Sequence, residues 1–235
     1  MDSWQQRTAL LIGQEGVEKL SQKHVLVVGV GGVGAYAAEM LVRSGIGKIT
    51  IVDGDCVENT NRNRQLLALT STLGQAKVDV FKQRLLDINP RLQVTAVYDF
   101  LQDEKIPQLF ENQKFNFLID AIDSVAPKTY LIAEAVRRQV PVVSAMGAGG
   151  KCDPAKIQVA DISKTYQCHL AAVVRKRLKQ QGITKGVMTV FSAEPAAKLV
   201  QQNNADKAVG TISYMPAIFG CWCASLCLRE LLKIE

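Results

Sequence analysis

The chain reads as an α/β protein with a Rossmann-like, doubly wound and mostly parallel sheet, helices covering both faces. Two observations predict this. Short apolar runs alternate with helical patterns from residue 25 to about 145, and strands joined by helix-length crossovers lie parallel and are buried on both faces. The first run, 25–28, ends in the turn Gly29-Val30-Gly31-Gly32-Val33-Gly34. Glycines there let the backbone turn sharply and bring the N–H groups of a helix N-terminus up to a phosphate.

The elements follow in order. Residues 3–20 suggest one or two short helices, with Leu10, Leu11, Val17 and Leu20 as apolar contacts and Arg7 as the notable charge. A helix over 35–43 continues the glycine turn, and Gly45 and Gly47 end it. A second apolar run, 48–52, stops at Asp53. The chain then turns polar before a helix expected over 70–89, closed by Asn89-Pro90. Strands are expected at 92–98, 117–122, 140–144, 157–161 and 188–192, and helices at 106–110, 128–138 and 170–181. The stretch 203–210 is polar and expected to be mobile. From 209 to 228 no charge occurs, a length that suits a membrane span. Gly210, Pro216, Gly220 and the amphipathic ending favour instead a buried helix packed on the sheet.

At 235 residues, 48% of them hydrophobic, the chain is long enough for one substantial core and suits a single domain over 1–235. Its expected parts are N-terminal helices (1–22), a nucleotide-binding core (23–150), and a substrate-side region with the C-terminal helix (151–235). A net charge of +6 leans toward an anionic partner such as a nucleotide or RNA. The N-terminus has no signal-peptide apolar core, and the six cysteines form no C-x-x-C pair. A cytoplasmic location with reduced thiols is therefore expected; peripheral membrane association stays open, and an integral span is not expected. Cys221, Cys223 and Cys227 read as small core residues rather than zinc ligands.

The glycine turn and an acid about twenty residues later, Asp53, fit a ribose-holding nucleotide site but leave nicotinamide, flavin and ATP all open. Asn61 and Arg64 follow from the same loop edge, Lys77 starts the next helix, and Asp123 ends a later strand. Cations beside a phosphate loop offset polyphosphate charge during displacement. An aspartate at that crevice suits magnesium. Hydride transfer needs neither, so the set argues for ATP.

These pieces resemble the ThiF/MoeB/HesA superfamily of ubiquitin-activating-like adenylating enzymes. The resemblance rests on Gly29-x-Gly-Gly-Val-Gly34, Asp53-x-Asp55-x-Val57, Asn61-Arg-Asn-Arg64-Gln65, Gly74-x-x-Lys77, Asn89-Pro90 and Asp120-x-x-Asp123. It implies attack of a carboxylate on the α-phosphate of ATP. It also implies that Asp53 holds the ribose and the backbone at Gly31 and Gly32 faces the phosphates. Asn61, Arg64 and Lys77 would contact the triphosphate, and Asp123, beside Ser124, would hold Mg2+. Arg7 stands where the family sends an arginine into the site of a second subunit, which implies a homodimer. A monovalent cation, Na+ or K+, is left open, and no structural zinc is implied. The segments Asp120-Ala-Ile-Asp123-Ser124, Gly147-Ala-Gly-Gly150, 158–165 and 190–194 are most similar to the branch that cyclises threonylcarbamoyladenosine in tRNA. The alternative within the superfamily is activation of a ubiquitin-like sulfur carrier, whose frequent paired C-x-x-C motifs and rhodanese domain are absent; a sulfur-transfer partner protein stays open. Cys168-His169 replaces that branch's usual sequence, and adjacent residues point apart, which disfavours a catalytic dyad. The basic helix with Arg175, Lys176, Arg177 and Lys179 is a candidate for tRNA phosphates or an ordinary solvated face.

Overall fold

The computed structural model describes residues 3–102, 104–111, 113–195 and 209–234. Seven strands form one sheet: β1 (His24–Val28), β2 (Lys48–Val52), β3 (Gln93–Val97), β4 (Phe117–Asp120), β5 (Val142–Ala145), β6 (Ile157–Asp161) and β7 (Met188–Ser192). Their order is β3-β2-β1-β4-β5-β7-β6, parallel except where the edge strand β6 runs against β7. The order reverses at β1, so the chain leaves β1 and β4 in opposite directions and a crevice opens above their carboxyl ends.

Alternation within each strand divides the core. Val25 and Val27 face one layer, Leu26 and Val28 the other. The first layer holds α2 (Gly34–Arg43), α3 (Lys77–Ile88) and α7 (Tyr214–Leu232); the second holds α4 (Lys105–Glu111), α5 (Val125–Arg137) and α6 (His169–Gln180). Glu39 of α2 is buried and takes Arg84 of α3 at 2.6 Å and Arg43 at 2.9 Å, stapling the two helices.

Among the described residues α7 is the one helix long and apolar enough to cross a membrane. It packs instead as a core helix, burying Met215, Phe219, Cys223, Cys227 and Leu231 against α2 and the sheet. At Gly220 a Cβ would lie 2.4 Å from the Val33 carbonyl, so this backbone approach admits only glycine. Cys223 and Cys227 are fully buried, as expected of core residues, whereas Cys221 is exposed.

Three expectations change. The single helix expected over 70–89 begins only at Lys77: Thr70–Thr72 form a separate 3-10 turn, and Gly74 has φ +79°, which a helix cannot continue through. Strand β4 ends at Asp120 rather than at 122, because the Asp120 carboxylate turns back to accept the Ile122 N–H at 3.1 Å. In α1 (Gln6–Ser21) the kink at Gly13 (φ 77°) separates a docked half, with Val17 and Leu20 buried, from an outer half where Leu10 and Leu11 are 84% and 86% exposed. Most of the polar stretch 203–210 lies outside the described residues.

Candidate active site

A cleft of about 1390 Å³ opens above the carboxyl ends of β1, β2, β4 and β5. It exceeds the ~300–1,000 Å³ usual for a small-molecule site. Of the residues expected in the site, Gly31, Gly32, Asp53, Arg64, Lys77, Asp123 and Ser124 all line this cleft.

The glycine turn is shaped by its neighbours. Gly29 has φ +86°, and a Cβ there would lie 2.7 Å from the Ala121 carbonyl, so the β1 and β4 ends close on each other without side chains between them. Gly34 is as tightly placed against the Gly29 carbonyl. Asp53 fastens the turn to β2: it accepts the Val30 N–H at 2.8 Å and the Asp55 N–H at 2.9 Å. Burial, the largest influence, raises the Asp53 pKa, and these hydrogen bonds and nearby Lys77 only partly offset it.

The cations approach from the other rim. Lys77, buried at the first turn of α3, pairs through its Nζ with the half-exposed Asp55 carboxylate at 2.7 Å. Arg64 is folded onto its own loop, donating to the Thr60 carbonyl at 3.0 Å and Asn63 Oδ1 at 2.8 Å. Asn61 does not line the cleft. It is buried, and its Oδ1 accepts the Glu58 N–H at 3.2 Å, which orders the loop that presents Arg64. Arg7 also lies outside the cleft, exposed on α1.

Asp123 and Ser124 are exposed at the cleft floor, with the Ser124 hydroxyl 3.4 Å from Asp123 Oδ1. Beneath them sits a cluster of which sequence reasoning carried Asp120 as a motif residue but did not single out Lys128 or Ser144. Asp120 and Lys128 are both fully buried and pair at 2.8 Å. Ser144 donates to Asp120 Oδ2 at 2.5 Å, and Lys128 Nζ donates to the Ile122 carbonyl at 2.8 Å. The cluster therefore holds the 121–124 loop from both the strand end and the helix α5. An aspartate closing an apolar strand, followed by a lysine at the start of the next helix, was the available clue.

The remaining expectations separate cleanly. Cys168 is buried in the second core layer while His169 is exposed, so the two point apart. Arg175 is not a free cation: its guanidinium donates to the carbonyls of Ile162 and Thr165.

The ThiF family profile matches residues 5–235. The tRNA threonylcarbamoyladenosine dehydratase of Bacillus subtilis (strain 168) is 47% identical over 204 residues, covering 87% of this chain and 79% of that relative. The crystal structure of the Escherichia coli tRNA N6-threonylcarbamoyladenosine dehydratase in complex with ATP superposes with a TM-score of 0.90 at 40% identity, covering 99% of this chain and 96% of the other. The molybdopterin-synthase adenylyltransferase of Escherichia coli (strain K12) is 35% identical over 130 residues, covering 55% of this chain and 51% of that relative. With a profile match over nearly its whole length, this chain belongs to the ThiF family.

Proposed function

We propose that the chain is an ATP-dependent adenylating enzyme that dehydrates threonylcarbamoyladenosine in tRNA. The observation that carries this reading is one cleft in which the glycine turn, Asp53, Arg64, Lys77 and Asp123 converge. The likeness to the dehydratases, which extends through β6, β7 and α7, selects the substrate. The sulfur-carrier alternative draws on a likeness that covers only 55% of the chain.

In this reading a threonyl carboxylate oxygen attacks the α-phosphorus, the bond to the bridging oxygen breaks, and pyrophosphate leaves. The carbamoyl group then attacks the acyl carbon of the adenylate, loses its proton to solvent, and AMP departs as the ring closes. No protein nucleophile is required. Asp53 holds the ribose, the N–H groups at Gly31 and Gly32 face the phosphates, and Arg64 and Lys77 offset charge on the pyrophosphate as it leaves. Lys77 already has one anion in Asp55, so it is held at the rim before nucleotide arrives. Asn61 acts through the loop that carries Arg64.

Asp123 fits a Mg2+ ion. Asp120, three residues earlier, is occupied by Lys128 and Ser144, while among the described residues the one hydrogen-bond partner of the Asp123 carboxylate is the Ser124 hydroxyl. No cluster of three metal-ligating side chains occurs among the described residues. One carboxylate completed by phosphate oxygens and water is the arrangement magnesium favours. An ion held there by Asp123 would supply positive charge to offset that of the phosphates.

A homodimer completes the site. The exposed outer half of α1 places Arg7 beside Trp4, Leu10 and Leu11, an apolar surface suited to a second copy. Arg7→Ala and Arg64→Ala should each abolish most pyrophosphate release, yet mixed dimers of the two should recover up to about half the parental activity per dimer, since one of the two sites is intact. Confirmed heterodimers with no recovery would count against donation across subunits. The substrate itself is tested by pyrophosphate release with threonylcarbamoyladenosine-bearing tRNA. Turnover only with a Gly-Gly-ended carrier protein would overturn the tRNA reading. A cytoplasmic location accords with this substrate.

A further inference from the structure

The charge of this chain is unevenly placed. Six of its 28 lysines and arginines lie in 162–193, a stretch with no Asp or Glu at all, and the rest of the chain carries 22 charges of each sign. The formal net charge of +6 thus resides in this one segment. Structurally the segment is α6 with its flanking loops and β7.

Five of the six cations, Lys164, Lys176, Arg177, Lys179 and Lys185, are exposed, and none has an acidic partner among the described residues. The sixth, Arg175, is turned inward onto Ile162 and Thr165. The two acids that bound the stretch are engaged by backbone donors. Asp161 accepts from the N–H groups of Ser163 and Gly186, at 2.9 and 2.6 Å. Glu194 accepts from those of Cys152 and Asp153, both at 2.9 Å. Both carboxylates are thereby committed to holding the loops in place.

The helix also has a direction. Its first turn reaches the cleft, where Leu170 forms part of the lining. It buries Ala171, Val174 and Leu178 and turns Lys176, Arg177 and Lys179 outward. At 1.5 Å per residue these three cations stand roughly 9 to 14 Å along the axis from Leu170. A polyanion whose reacting base enters the cleft would have flanking phosphates within that reach. Lysine and arginine on phosphates supply affinity and register without reading sequence.

We propose that the exposed face of α6, with Lys164 and Lys185 at its margins, is the docking surface for the tRNA backbone. This rests on the substrate proposed above. The test measures equilibrium binding of threonylcarbamoyladenosine-bearing tRNA over a range of salt, for the parent and for Lys176→Ala/Arg177→Ala/Lys179→Ala. Each lost phosphate contact should lower the salt slope by about 1, so the triple variant should lose two to three units of slope and at least about tenfold in affinity near physiological salt. Its KM for tRNA should rise while kcat at saturating tRNA and ATP affinity hold. Unchanged affinity and slope in the triple variant, with the parent binding tRNA, would overturn the docking face and leave the proposed function standing. An equal slope loss in Lys82→Ala/Lys114→Ala, two exposed cations elsewhere, would also overturn it, because net charge alone would then govern binding. A parent that binds no tRNA would overturn the substrate and this surface together.

Discussion

Lys128→Met should be among the most destabilising single substitutions in this protein, costing about 3–5 kcal/mol. Lys128 and Asp120 have no exposure to solvent and pair at 2.8 Å. Removing the ammonium strands a buried carboxylate and leaves the Ile122 carbonyl without its donor. The double variant Asp120→Leu/Lys128→Met should recover most of that loss, since a buried ion pair replaced whole by apolar groups is often neutral. Recovered stability should not bring recovered turnover. The double variant lacks both the Nζ bond to Ile122 and the Asp120 bond to the Ile122 N–H, the two anchors of the loop carrying Asp123. Denaturant midpoints with pyrophosphate release on the same samples check this. A single variant as stable as the parent would refute the role of the ion pair in closing β4.

Asp123→Ala should behave in the opposite way. The side chain is exposed, so stability should change by no more than about 0.5 kcal/mol. Turnover should fall by at least about a hundredfold, the scale of losing one electrostatic contact to a transition state. Titration with Mg2+ separates metal binding from other roles: the variant should need far more Mg2+ for any residual rate. Pyrophosphate release with the parental rate and Mg2+ dependence would sink the assignment.

The two variants also show what the sequence exposed and what it concealed. The sheet was legible because each parallel strand is a short apolar run with a helical crossover behind it. The cleft was legible because Gly29 to Gly34, Asp53 and Asp123 fall at strand ends whose spatial convergence follows from a doubly wound order. Lys128 escaped notice because a lysine in the first turns of a helix reads as solvated, and only the fold places it under a loop. Gly74 hid the break before α3, since a positive φ cannot be read from a single glycine in an otherwise helical pattern. Leu10 and Leu11 carried a helical apolar spacing, yet the kink at Gly13 turns them away from the core. Spacing identifies an apolar face but not which body covers it. Arg175 and Asn61 share one lesson: a polar side chain near a site can serve the backbone that builds it.

The two thiols that α7 itself turns into the core, Cys223 and Cys227, have a use as a chemical clock. Burial pushes the Cys223 thiol up to about 12 and holds that of Cys227 well above its ordinary range. Neither therefore offers an alkylating reagent an appreciable thiolate while the helix stays seated. Cys152 and Cys221 face solvent and should label first. Slow labelling of the buried pair then times each excursion of α7 away from α2, residue by residue, in the native protein. Because Pro216 of that helix lines the same cleft as Gly32 of the glycine turn, occupancy of the cleft should lengthen the interval between excursions.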